Sequence, residues 1–275
     1  MSVEGKVVVV TGGTRGIGRA VATECARLGA RVVLCGRTAE VAEAAATALT
    51  YEVGGSGQPS CGVGADVSRY RDLERLRDRA LQEHGRIDVW FNNAGISLGY
   101  GPVDEEAPED LARIVEVNFT GHVLGCRAIL PYFRDHGGYL MNMVGRGYKG
   151  EATPHTAVYA ATKAAIASLT LSLAEENKRI GNLSVNAIVP GMVATDFYED
   201  LKVSPRLEHV KDNWRYALDA FGVPIETVAR ETAKRLGDEP GQQSGKIYSL
   251  LTPSRTARGI AKMAWYGMSG KMQRE

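Results

Sequence analysis

The chain has 275 residues, with 33 Lys and Arg against 32 Asp and Glu, and 32 glycines. A net charge of +1 excludes the strongly basic surface of a dedicated nucleic-acid binder, so no nucleic-acid partner is expected. No run reaches the ~18–20 uninterrupted apolar residues of a spanning helix, and the first residues lack the basic start and apolar core of a signal peptide; a cytoplasmic protein is expected. Cys25, Cys35, Cys61 and Cys126 contain no Cys-x-x-Cys pair and the histidines no His-x-x-x-His pair. Buried free thiols and no metal site follow.

Short β-branched runs alternate with longer helical patterns. Strands are expected at Lys6–Val10, Arg31–Cys35, Cys61–Gly64, Ile87–Phe91, Tyr139–Val144, Leu183–Val189 and Lys246–Leu250. Helices are expected at Ile17–Leu28, Ala39–Tyr51, Arg69–Glu83, Pro108–Phe119, Gly121–Arg134, Ala157–Lys178 and Ile225–Leu236. Such alternation predicts an α/β, doubly wound Rossmann-type fold: a seven-stranded parallel sheet with helices on both faces. One dinucleotide-binding domain should cover residues 1–250. Residues 195–222 show no clear strand and read as a substrate lid, and 251–275 as a basic tail.

The first strand runs into Thr11-Gly12-Gly13-Thr14-Arg15-Gly16-Ile17-Gly18, and then a helix begins. Between a strand and a helix, these glycines let backbone amides approach a pyrophosphate at the positive helix end. The second strand ends Cys35-Gly36-Arg37, without the acidic residue that would hold the ribose 2′-hydroxyl of NAD. Arg15 and Arg37 can pair instead with a 2′-phosphate, so the cofactor expected is NADP(H). Asp66 and Val67 can meet the adenine edge. Asn92, Asn93, Ala94 and Gly95 follow the fourth strand, where small residues let the chain pass the cofactor. Tyr159 and Lys163 stand at i and i+4 on one helix face. An ammonium beside a phenol stabilises phenolate and suits the tyrosine to proton donation near neutral pH.

Taken together, Thr-Gly-x-x-x-Gly-x-Gly, Asn-Asn-Ala-Gly, Tyr-x-x-x-Lys and Pro190-Gly191 resemble the short-chain dehydrogenase/reductase superfamily over about residues 5–250. The resemblance implies that Tyr159 is the catalytic acid/base, that Lys163 lowers its pKa and holds the nicotinamide ribose, and that Asn118 supports a water-mediated proton relay. It also implies that Pro190, Gly191, Met192, Val193 and Thr195 contact the nicotinamide end, and that the protein is a homodimer or homotetramer.

One position departs from that pattern. The family carries a serine about thirteen residues before the tyrosine, and Gly145 stands in its place, with no Ser or Thr between Asn142 and Thr153. Loss of one such donor costs about 10²–10³ in rate. The amides of Gly145–Gly147, Arg146, Tyr148 and Ser97 are the candidate replacements. The missing serine, the Gly145-x-Gly147 pair and Thr153-Pro154 before the tyrosine are similar to the chlorophyll b reductase branch. That resemblance implies NADPH-dependent reduction of a formyl group on a large, flat, hydrophobic macrocycle.

Large apolar residues crowd the lid: Phe197, Tyr198, Leu201, Val203, Leu207, Trp214, Tyr216, Leu218 and Phe221. They suit either an ordinary core or a cover over a bulky apolar substrate. The tail carries Arg255, Arg258, Lys262, Lys271 and Arg274, interleaved with Ile260, Trp265, Tyr266 and Met268. It suits docking on a neighbouring subunit, a plain surface helix, or peripheral contact with an anionic membrane. The leading expectation is an NADPH-dependent carbonyl reductase acting on a small-molecule carbonyl or alcohol. The alternative is a catalytically weak NADP-binding regulator or scaffold.

Overall fold

Four consecutive valines, Val7–Val10, form β1 and are fully buried. A strand apolar at every position must be covered on both faces, as in a parallel sheet flanked by helices. The computed structural model, which describes residues 2–54, 59–97, 99–195 and 202–272, shows that arrangement. Its main sheet contains β1, β2 (Arg31–Gly36), β3 (Cys61–Gly64), β4 (Val89–Asn92), β6 (Gly138–Met143), β7 (Leu183–Val189) and β9 (Ile247–Ser249). The spatial order is β3-β2-β1-β4-β6-β7-β9, and every pair is parallel. The order turns back on itself between β1 and β4, where open α/β sheets form a crevice beyond the strand C-termini.

Successive strand residues point to opposite faces. Val8, Val10, Leu34 and Phe91 therefore join one apolar cluster, while Val9, Val33, Trp90 and Leu140 join the other. The first cluster includes residues of α1 (Gly16–Arg27), α2 (Ala39–Glu52) and α8 (Ile225–Leu236). The second includes residues of α3 (Tyr70–His84), α5 (Gly121–His136) and α6 (Ala157–Glu176). By length and composition α6 could cross a membrane. Its Ile166, Ala167 and Thr170 are instead buried, the first two in a cluster with Val144, Ala187 and Val189 of the sheet region.

Three features differ from the sequence expectations. The helix expected over 108–119 is α4 (Pro108–Val115) followed by a π turn, Glu116–Thr120, that leads directly into α5. The lid does contain a strand: β8 (Lys202–Val203) pairs in parallel with β5 (Gly99–Tyr100), too short a pair to leave a periodic signal. The lid also forms α7 (Asn213–Phe221). The tail forms α9 (Pro253–Met268), which docks on α7 of its own chain. Asp219 of α7 accepts hydrogen bonds from Tyr266 and Lys262, and Gly259 packs against the Phe221 ring, so Lys262 has an acidic partner on the lid. Ile260, Trp265 and Met268 remain exposed on α9. Phe197, Tyr198 and Leu201, the loop residues Gly55–Gln58, and Arg274 lie outside the described residues.

Candidate active site

The glycine-rich loop is built against the end of β4. Thr11 Oγ1 accepts from the amides of Asn93 at 3.0 Å and Ala94 at 3.1 Å. Asn93 Nδ2 returns hydrogen bonds to the carbonyls of Thr11 at 2.9 Å and Gly12 at 3.1 Å. Asn93 thus ties the loop to the neighbouring strand. Gly18 must lack a side chain here, since a Cβ would lie 2.3 Å from both Gly12 O and Asn93 Nδ2. Arg15, with extended φ −152° and ψ 172°, precedes Gly16 at the start of α1 and caps no amide with its side chain. The first turn carries no acidic residue. An uncapped helix start without a carboxylate is the donor set that receives a phosphate anion. Thr195 approaches the same turn, 3.9 Å from a Cβ position on Gly16. The residues present therefore fit a dinucleotide.

Arg15 and Arg37 are both exposed, at the loop and at the end of β2. Thr14 packs on Gly36 between them, 2.6 Å from its Cβ position. Asp66, just past β3, is held by its own side of the protein. Its carboxylate accepts from Ser68 Oγ at 2.7 Å and pairs with Arg113 at 3.1 Å. Burial would raise its pKa, but the Ser68 hydrogen bonds and Arg113 outweigh burial and hold it below the usual range. Val67 is buried and packs against Gly121. At the far end, Pro190 and Val193 are buried, and Gly191 has φ +84°.

Three segments converge on α6. Lys163 is 3% exposed. Its ammonium donates to Met143 O at 3.3 Å and lies 5.5 Å from the Tyr159 ring centre. Burial pushes its pKa down to about 8. Gly95 adjoins both other members: a Cβ there would be 3.3 Å from Asn118 Oδ1 and 3.7 Å from Lys163 Nζ. Asn118 is fully buried in the π turn, and its side chain is committed to Ile96, accepting from the amide at 2.7 Å and donating to the carbonyl at 2.9 Å. These two bonds tie Asn118 to the segment that follows Gly95. π turns disturb the regular helical ladder and are frequent at functional sites.

Behind this group, polar side chains cross the core. Trp90 Nε1 donates to Asn92 Oδ1 at 2.7 Å, Asn92 Nδ2 to Asn142 Oδ1 at 2.9 Å, and Asn142 Nδ2 to Thr170 Oγ1 at 3.0 Å. The chain of bonds links β4, β6 and α6 and fixes α6 on the sheet. His122 is equally buried, with Nε2 lacking a hydrogen-bond partner among the described residues. Burial first, then the Lys163 charge, pushes its pKa down to about 3. A lone histidine in a helical pattern carries no sequence signal, and its role beside Lys163 emerges only from the packing.

Gly145 lies directly against the phenol, with its Cβ position 2.7 Å from Tyr159 Oη. The glycine thus occupies the expected serine's place in space as well as in sequence. Gly147 (φ +91°) presses on the same helix, 2.4 Å from Ala160 Cβ by its Cβ position. Not every candidate replacement donor is available. Glu151 takes the amides of Gly147 at 3.0 Å and Lys149 at 2.9 Å, and the Tyr148 amide goes to Gly145 O at 3.2 Å. Arg146 is exposed and Ser97 half-buried. The Gly147 amide is therefore removed from the candidates, because a carboxylate closes the loop on it. A small cleft with about 20 Å³ of enclosed space opens beside Tyr159, lined also by Gly99, Gly101, Glu106, Ile114 and His155.

A dinucleotide cradle, a buried lysine beside a tyrosine and a doubly wound sheet define a class. The short chain dehydrogenase family model matches residues 6–204, and the chain belongs to that family. The chain is 34% identical over 268 residues to a probable chlorophyll(ide) b reductase of Arabidopsis thaliana, named as chloroplastic, covering 92% of this chain and 52% of that protein. The chain therefore spans about half the length of that relative. It is 36% identical over 244 residues to 3beta-hydroxysteroid dehydrogenase 1 of Eggerthella lenta, covering 88% of this chain and 90% of that one. Among solved structures, a 3-ketoacyl-(acyl-carrier-protein) reductase from Brucella melitensis complexed with NADH superposes with a TM-score of 0.77 at 26% identity, covering 93% of this chain and all of that one.

Proposed function

We propose that the protein is an NADPH-dependent reductase of an aldehyde on a bulky hydrophobic substrate, such as the formyl group of chlorophyll b. The observation that carries this reading is the Tyr159 hydroxyl packed against Gly145, with the buried Lys163 ammonium behind it. Gly12, Gly16, Gly18, Asn93, Ala94 and Gly95 hold the dinucleotide backbone, and Arg15 and Arg37 its 2′-phosphate. Thr14, Ile17, Asp66 and Val67 border the adenosine half, and Pro190, Gly191, Val193 and Thr195 the nicotinamide half. A reduced nicotinamide held there would supply the hydride for the carbonyl carbon. Tyr159 Oη donates the proton to the carbonyl oxygen, giving the alcohol. Lys163 stabilises the phenolate left behind, and Asn118 supports the water-mediated relay that returns a proton to it from solvent.

The missing serine supports an aldehyde. A formyl carbon is less hindered and more electrophilic than a ketone carbon, so a single donor polarises it more effectively. Both relatives are named for bulky, rigid, polycyclic compounds, and the apolar residues of the lid at 202–222 suit a cover over such a molecule. The plant relative is named as chloroplastic, and we place this chain in a reducing compartment, the cytoplasm or that plastid. Half-buried Tyr159 beside buried Lys163 and Asn118 favours this reading over a regulator, which has less need of a proton relay.

The test follows NADPH oxidation with formyl tetrapyrroles, 3-ketosteroids and simple aldehydes. Turnover of aldehydes above ketones is expected, and Arg37→Glu should raise KM for NADPH at least tenfold while lowering that for NADH. Tight NADPH binding without turnover of any carbonyl would favour the regulator.

A further inference from the structure

An aromatic group stands beside the Tyr159 cleft and belongs to no part of the proton relay. Tyr100 of β5 lies 5.0 Å from the His155 ring, tilted by 59°, and 5.9 Å from the Trp214 ring of α7, edge-on at 66°. The three residues come from separate segments: the loop region after β4, the turn before α6, and the lid. Strand β5 is pinned tightly between its neighbours. A Cβ on Gly99 would meet Lys202 O at 2.7 Å and Glu106 Oε1 at 2.8 Å, and one on Gly101 would meet Ser204 Cβ at 2.9 Å. The Gly101 amide donates to His155 O at 3.0 Å, and the Ser204 amide to Tyr100 O at 3.0 Å. His155 has φ +65°, the sole positive φ among the described non-glycine residues. Such a conformation persists where surrounding structure enforces it, and it clusters at ligand sites.

The cleft's size decides how a ligand can use these rings. Its enclosed space is about 20 Å³, room for about one water-sized group. It admits a carbonyl group, not a ring system. The remainder must rest at the mouth, and the flanks of Tyr100 (Gly99 and Gly101) and His155 itself line that cleft. Aromatic side chains offer large, rigid contact area at low entropic cost and pair well with flat π systems.

We propose that Tyr100, His155 and Trp214 form an aromatic platform at the cleft mouth that receives the flat face of a conjugated polycyclic substrate, whose carbonyl group enters toward Tyr159. This rests on the reading of Tyr159 as proton donor. The platform selects by planarity, so substrates that present only an aliphatic chain gain nothing from it.

The experiment compares 1-pyrenecarboxaldehyde with hexanal as substrates, and separately titrates 1-pyrenemethanol, which has no carbonyl, against Trp214 fluorescence with Trp90→Phe and Trp265→Phe in the background. Tyr100→Leu and Trp214→Leu should each lower the ratio of kcat/KM for the pyrene aldehyde over hexanal at least tenfold, mainly through KM. Tyr100→Phe and Trp214→Phe should restore it, because the ring face is kept, and this guards against misfolding. In the retained-Trp214 background, Tyr100→Leu should weaken 1-pyrenemethanol binding about tenfold. Equal losses for both aldehydes with unchanged pyrenemethanol affinity would mean that the cluster only latches the lid, overturning the proposal. No turnover of either aldehyde, with pyrenemethanol binding weakened by Tyr100→Leu, would sink the carbonyl-reductase reading and leave the platform standing.

Discussion

Returning a side chain to position 145 sets two effects against each other. Gly145→Ala places a Cβ 2.7 Å from Tyr159 Oη, while ordinary van der Waals contact begins at 3.4 Å. The phenol must then retreat by about 0.7 Å, on the order of the ~1 Å misplacement that costs about 10²-fold in rate. Gly145→Ala should therefore lower kcat about 10- to 100-fold with little change in NADPH affinity. Gly145→Ser carries the same displacement but adds a hydroxyl donor, which elsewhere contributes about 10²–10³. The ratio of serine to alanine variants, measured by NADPH oxidation at saturating cofactor, isolates the donor from the displacement. A ratio well above ten says the wild-type site lacks a second donor; a ratio near one says a main-chain donor already acts there. An alanine variant as active as wild type would refute the reasoning, because the phenol would then have room that the geometry denies it.

Three further outcomes follow from burial and packing. Lys163→Met should abolish turnover yet stabilise the fold. Burial depresses the lysine pKa from 10.5 to about 8, so the charged lysine costs roughly 3 kcal/mol below pH 8, and that cost fades as pH rises toward 10.5. The Tm difference between variant and wild type should thus shrink between pH 8 and 10.5, and a constant difference would show that the ammonium is not desolvated. His122, depressed from 6.5 to about 3, takes up a proton more readily when unfolded, so stability is lost as pH falls from 6.5 toward 3. In acid titrations followed by circular dichroism, His122→Phe should unfold at a lower pH than wild type; identical midpoints would remove His122 as a contributor. Gly147→Ala combines a positive φ with a 2.4 Å approach to Ala160, costing about 2–4 kcal/mol. Its Tm should drop by several degrees, and an unchanged Tm would contradict the close packing of that loop on α6.

What the amino-acid order determined was whatever depends on local spacing. The valine runs, the glycine loop between a strand and a helix, the absence of an acid at Arg37, and Tyr159 one turn from Lys163 all lie within a few residues. Periodicity and backbone sterics therefore define them without tertiary information. Even the odd glycine at 145 could be placed by counting from Asn142. Tertiary structure decided what depends on residues far apart meeting. Asn118 bonds Ile96 from 22 residues away, a contact that its motif does not announce. The tail's Lys262 meets Asp219 of the lid across 43 residues. Tyr100, His155 and Trp214 come together only because a parallel strand pair, two residues long, draws the lid to the cleft. A pair that short has no period to read, and a hydrogen bond between distant groups leaves no mark in the sequence at either end.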